Sequence, residues 1–229
     1  MSEGIQQRIE QVFGEVAAAI DRAGRASGSV TVVAVSKTVE RDAVDLAYEC
    51  GVRHFGENRV QDAARKFSVP LRDDAMLHMI GHLQSNKAVA AARLFDFIES
   101  VDRESLISEL GKQAAKLEKP LPVLLQVNIA GEAQKAGCEP SEAESLLRAL
   151  QDSSHLELRG LMTIAPLVDD PEDVRPVFRG LRVLRDRLRQ KCPDVSLDVL
   201  SMGMTNDFQV AIEEGSTLVR VGRAIFSGD

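Results

Sequence analysis

The sequence predicts an α/β fold: a parallel (β/α)8 barrel of the TIM type with an extra helix at its N-terminus. Three observations predict it. Eight short apolar or β-branched runs recur at 30–36, 52–55, 76–80, 94–98, 122–129, 156–162, 195–200 and 217–221. Helical patterns separate them at 40–49, 58–67, 85–93, 103–118, 141–151, 172–190 and 206–214, and a helix in each connection is what returns the chain for parallel pairing. Runs such as "PVLLQVNI" are apolar with little alternation, as expected of strands covered on both faces.

Each element has its own justification. Ile5, Ile9, Val12, Phe13, Val16 and Ile20 recur at spacings of three and four, which makes one apolar stripe on a helix. The glycine-containing segment Gly24–Ser29 ends that helix. The first strand run then ends on Ser36-Lys37, and the second leads into "GENRVQ". The third run precedes "GHLQSNK", the fourth "ESVDR" and the fifth "AGEAQKAG". "GLMTIAP" closes the sixth, and "VDDPED" beyond it reads as a turn opening a helix, with Pro171 in the first turn. The seventh run meets "SMGMTND" and the eighth "GRAIF". No final crossover helix follows the eighth run, so the N-terminal helix is expected to cover that side of the barrel. The length of 229 residues suits one such unit. No Pro/Gly/Ser-rich linker divides it, so residues 1–229 are expected to form a single domain.

Composition narrows the function. A net charge of −7 argues against a nucleic-acid partner, which wants a basic surface. The basic stretch Arg179–Lys191 reads as a solvated helix face. Three cysteines, Cys50, Cys138 and Cys192, lie far apart without metal-ligand spacing or a disulfide framework, which fits a reducing compartment. No run approaches the roughly 20 apolar residues of a membrane span. The expectation is a cytoplasmic protein with neither a membrane nor a nucleic-acid partner.

In this architecture, reactive groups stand at the C-terminal ends of the strands. Lys37 stands there after the first run, where it is either a snorkelling strand-end cation or a reactive amine. After the seventh run, Ser201, Gly203 and Thr205 offer small hydroxyls and close backbone donors; after the eighth, Gly222 lets the chain approach a ligand. These two loops are the recurring phosphate site of the fold; the alternative is ordinary capping. Arg220 sits inside "TLVRV", where a charge needs a partner or a ligand. A lysine opposite a phosphate cradle and a buried arginine suggests a phosphorylated carbonyl compound held as a Schiff base, and pyridoxal phosphate supplies the aldehyde, the phosphate and a ring nitrogen. His78 and His82 span a strand end and Gly81 with no third ligand nearby, so no metal site is expected. Glu132 and Lys135, in a glycine-bounded loop, read either as a surface pair or as a loop over the ligand whose lysine helps transfer the aldehyde.

Seven stretches in order, "VAVSKTV", "FGENRVQ", "HMIGHLQSNK", "SVDR", "GLMTIAP", "LSMGMTND" and "GSTLVRVGRAIF", resemble the pyridoxal phosphate homeostasis proteins, which are similar to the barrel domain of alanine racemase. The resemblance implies that Lys37 forms the internal aldimine. It implies that Ser201, Met202, Gly203 and Thr205, with the backbone of Gly222 and Arg223, hold the phosphate. Arg220 would face the pyridine nitrogen, and Asn58 and His82 would line the ring or its rim. Two positions depart from the family pattern: Thr205 replaces a serine, and Arg223 replaces a small hydroxyl residue.

A guanidinium beside the ring nitrogen discourages its protonation, whereas enzymes that use the ring as an electron sink pair it with a carboxylate. The single tyrosine, Tyr48, lies in the first crossover helix. The expectation is therefore a carrier or buffer of pyridoxal 5'-phosphate without catalytic residues or appreciable turnover, a monomer that serves vitamin B6 homeostasis and pyridoxal phosphate-dependent apo-enzymes. A racemase or decarboxylase of the same barrel type is the alternative, and a cofactor-free Schiff-base aldolase stands behind it.

Overall fold

The computed structural model describes residues 2–132 and 134–227. Eight parallel strands close into a barrel in sequential order: β1 Thr31–Val35, β2 His54–Glu57, β3 Met76–Met79, β4 Phe97–Val101, β5 Leu121–Gln126, β6 Leu156–Met162, β7 Val199–Met204 and β8 Leu218–Val221. The helices are α1 Ser2–Arg22, α2 Arg41–Glu49, α3 Val60–Lys66, α4 Ala88–Leu94, α5 Glu104–Leu117, α6 Ala143–Gln151, α7 Arg175–Lys191, α8 Phe208–Glu213 and α9 Arg223–Phe226. Helices α2 to α8 are the seven crossovers, one between each pair of consecutive strands. This is the predicted (β/α)8 architecture.

The extra helix lies where it is expected, against α8, α9 and α2. Its stripe buries Ile5, Ile9, Val12, Val16 and Ile20 while Phe13 stays partly exposed. Polar ties reinforce the seam: Arg8 Nε donates to the carbonyl of Ile225 at 2.8 Å. Arg25 Nη1 donates to the carbonyls of Ile212 and Ser216 at 2.9 and 2.6 Å.

Side chains alternate across each strand, and the inner set divides into two halves. Phe97, Leu124 and Met162, with Ile164 and Val199 against them, form a small apolar cluster. The other half is largely polar, built from His54, His78, Glu99, Ser201 and Arg220 in continuous hydrogen-bonded contact, with Val33 also turned inward beside them. Outside the barrel, the outward-facing strand residues and the helices form the main core.

Three strands are displaced from their expected positions, β2 by two residues to 54–57 and two others by three or four. β4 runs over 97–101 rather than 94–98, and β7 over 199–204 rather than 195–200. In both, polar residues taken as the strand's end are inside the strand: Glu99 and Ser100 in β4, Ser201 in β7. The polar half of the interior is the reason, because it accepts side chains that an apolar-run criterion assigns to loops.

Candidate functional site

The C-terminal ends of β1, β2, β3, β6, β7 and β8 line a cavity of about 320 Å3, within the range of small-molecule sites, about 300–1,000 Å3. Lys37 lines it from the turn after β1, Asn58 from the end of β2 and Ile80 from the end of β3. Ile164, Pro166, Leu167 and Val168 form an apolar wall after β6. Met204, Thr205, Asn206 and Asp207 follow β7, and Gly222 and Arg223 follow β8. Arg220 enters from below: it pairs in register with Val33, one inward layer beneath the lining residue Val35.

Local geometry sets each group. Val33, Val35 and Lys37 share the inward parity of β1. The chain turns at Lys37, where Val39 N–H closes on the Ser36 carbonyl at 3.1 Å, so an exposed amine stands over the cavity. Gly222 passes close to Val35, and a Cβ there would sit 3.2 Å from both the Val35 carbonyl oxygen and its Cβ. Gly81 lets the third loop press on the second, because its Cβ would come within 2.2 Å of the Asn58 carbonyl oxygen. Asp207 fastens the loop after β7 by accepting the Met204 N–H at 2.6 Å. Burial raises its pKa, with the Met204 hydrogen bond and the Arg220 charge opposing the rise. Arg223 Nη2 donates to Asn206 Oδ1 at 3.2 Å and ties the seventh loop to the eighth.

The lining carries three cations, Lys37, Arg220 and Arg223, against one carboxylate, Asp207. That is a formal +2 in a chain whose net charge is −7. Such a site suits a small dianion. Arg220 is nearly inaccessible. Its Nη1 donates to Ser201 Oγ and its Nη2 to the Thr163 carbonyl at 2.9 Å. Burial lowers its pKa, opposed by the charges of Glu99 and Asp207, and guanidinium remains protonated throughout the physiological range.

The alanine racemase N-terminal domain family matches residues 14–229. The pyridoxal phosphate homeostasis protein of Aquifex aeolicus is 40% identical over 220 residues, 96% of each chain. That of Vibrio cholerae is 42% identical over 226 residues, 97% of this chain and 95% of its own. The chain belongs to the pyridoxal phosphate homeostasis protein family. Within this family fold, PipY of Synechococcus elongatus with pyridoxal phosphate bound superposes with a TM-score of 0.84 at 36% identity, covering 97% of this chain and 100% of that one. D-threonine aldolase from Filomicrobium marinum, at 16% identity and a TM-score of 0.74, covers 98% of this chain and 60% of its own and shares the fold.

Against this homeostasis-protein frame, the structure brings Lys37, Asn58, Thr205, Arg220, Gly222 and Arg223 to one cavity. It does not bring Ser201, Met202, Gly203 or His82 to the lining. Ser201 belongs to β7, and its hydroxyl is committed inside the barrel to Glu99 and Arg220. Its side chain therefore faces the barrel interior, beneath the lining rather than in it. Met202 is buried in the outer core. Gly203, at φ +95°, leaves the close approach of Phe208 and Ala211 free of a side chain. His82 is half-exposed, with Nδ1 3.7 Å from Asp102 Oδ2. Lys135 lies 3.1 Å from Glu132 in the fifth loop and outside the lining. Among the described residues no group of three or more His, Cys, Asp or Glu gathers as a metal site.

The sequence reading did not single out the wall after β6, or the acidic member Asp207 at the end of "SMGMTND". It also missed Glu99. Its signal was a carboxylate two residues beyond Phe97 in an otherwise apolar run.

Proposed function

We propose that this protein binds pyridoxal 5'-phosphate at the C-terminal mouth of its barrel and carries or buffers it, with little catalytic turnover. The observation that carries this reading is that Lys37, Arg220 and the loops after β7 and β8 line one small cavity of net positive charge. The residues fit the ligand by charge and shape. Thr205, Gly222 and Arg223 supply a hydroxyl, an unobstructed backbone and a cation for a phosphate. The apolar wall of Ile164, Pro166 and Leu167 suits the flat face of a ring, and Arg220 suits its nitrogen. When bound, the ligand supplies an aldehyde. Lys37 would hold that aldehyde reversibly through its amine, while Arg220 and Arg223 would hold the ring nitrogen and the phosphate.

The carrier reading is favoured over racemisation by what surrounds the cavity. The lone tyrosine is far from it: Tyr48 hydroxyl donates to Asp74 Oδ1 at 2.6 Å, and the ring stacks against Arg53 and Arg72. The cationic neighbour of the ring nitrogen further disfavours carbanion chemistry. A racemase or decarboxylase of this barrel type remains the second reading. A cytoplasmic site, a monomeric state and delivery to pyridoxal phosphate-dependent apo-enzymes complete the proposal. No helix among the described residues is long and apolar enough to cross a membrane.

Absorbance and mass spectrometry test it. Pyridoxal phosphate added to the purified protein should give a near-ultraviolet to visible band, and borohydride should fix one adduct on Lys37. Lys37→Ala should abolish both. An equal adduct in Lys37→Ala would overturn the assignment, and steady turnover of an amino acid that depends on Lys37 would favour the enzyme reading.

A further inference from the structure

We propose that Glu99, buried in β4, positions the ligand's ring from a distance, acting through Ser201 on Arg220. The proposal rests on the pyridoxal phosphate reading above and assigns a role to a residue that does not line the cavity. Glu99 and Ser201 are inaccessible to solvent. Glu99 Oε2 accepts the Ser201 hydroxyl and Oε1 accepts His78 Nδ1–H at 2.7 Å. Burial alone would raise this carboxyl, but the His78 hydrogen bond, the charges of His78 and Arg220 and the Ser201 hydroxyl hold it below the usual carboxylate range.

The direction of these bonds is what matters. A hydroxyl has one hydrogen, and an ionised carboxylate can only accept. Glu99 therefore takes the Ser201 hydrogen and leaves Ser201 Oγ only lone pairs to show to Arg220. Arg220, all donors, meets an oxygen that can do nothing but accept. With Nη1 fixed on Ser201 and Nη2 on the Thr163 carbonyl, the guanidinium plane is held at two points, and its remaining donors are left for the cavity. Glu99 also supplies the negative charge that makes a buried guanidinium tolerable in β8. On its other side the chain continues from His78 Nε2 to His54 Nδ1 at 2.9 Å, so the barrel's polar half forms one directed series ending at Arg220. Glu99 is thus a positioning residue, without contact to the ligand.

The test uses Ser201→Ala and Glu99→Gln in the full chain, with two ligands: pyridoxal phosphate and its analogue with carbon in place of the ring nitrogen. Circular dichroism first establishes that each variant is folded, and Ser201→Ala, which removes one oxygen, stands in if the other is not. Each folded variant should bind pyridoxal phosphate about tenfold more weakly, the scale of a lost charge-assisted hydrogen bond, and should shift its absorbance band. Affinity for the analogue should change by less than about twofold. Equal loss for both ligands, or no loss for either, overturns the role of Glu99 while leaving the binding reading intact. Wild-type protein that takes up neither ligand overturns the binding reading and this inference with it.

Discussion

The ammonium of Lys66, on α3, donates to the carbonyl oxygen of Ser36 at 2.6 Å. That is the carbonyl of the peptide bond leading into Lys37. The same ammonium lies 2.7 Å from Glu57 Oε1, which also accepts the Ser36 hydroxyl. Both members of the ion pair are almost wholly enclosed. A buried triad outside the barrel wall thus grips the turn that presents Lys37 to the cavity.

Breaking one partner of such a pair should be costly. Lys66→Met is expected to lose about 3–5 kcal/mol of unfolding free energy, because Glu57 is left buried and uncompensated. The double variant Glu57→Gln/Lys66→Met should recover most of it. Denaturant midpoints of the three proteins check the prediction, and a double variant as unstable as the single one would contradict it.

Arg223 reaches from the loop after β8 to Asn206 in the loop after β7. Arg223→Ala should weaken binding of pyridoxal phosphate by about three- to tenfold, as expected for a partly exposed charge. Pyridoxal, lacking the phosphate, should be nearly unaffected. Equilibrium titrations with the two ligands, repeated at raised ionic strength, separate a phosphate contact from a general loosening of the loops.

His54 gives the fold an acid-sensitive element. Burial, then the neighbouring His78, lowers its pKa from 6.5 to about 4, against the pull of Glu99. An unfolded chain protonates this ring near 6.5 and the folded one near 4, so the unfolded state binds more protons between those values. Stability is therefore fully present above about pH 6.5 and falls as the pH drops towards 4. The ring is only half-buried, so its share is about 1–2 kcal/mol after solvent screening. His54→Gln should flatten the slope of melting temperature against pH in that window.

The N-terminal helix should be indispensable. Full burial of each Ile or Val is worth about 1.5–3 kcal/mol, so the five on α1 contribute on the order of 10 kcal/mol. Deleting residues 1–24 should abolish cooperative melting or solubility. A truncated chain that melts like the intact one would contradict the seam-covering role.

The eight-strand order was legible because parallel strands covered on both sides leave long apolar runs and their crossovers leave helical patterns. Lys37, Arg220 and Gly222 were legible too, as residue types that need a reason to stand at or inside a strand end. Ser201 was misplaced because hydrophobic runs stop where polarity begins, whereas β7 continues into a polar interior. The partner that makes this tolerable, Glu99, is 102 positions away, and no local pattern joins the two. The wall after β6 escaped for the opposite reason. Leu167 is apolar yet 83% exposed, and composition does not distinguish a cavity rim from a loop.

Arg8 finds its carbonyl partner 217 positions later, and β1 pairs with β8. A ribosome releases the first helix long before the surface that covers it exists. Its stripe of isoleucine and valine must wait, wetted or chaperoned, until α8 and α9 have been made. Such long-range closure is the slow, aggregation-exposed kind. Ring closure thus waits for β8, and Lys37 meets the loops after β7 and β8 across the mouth only once that strand has paired with β1.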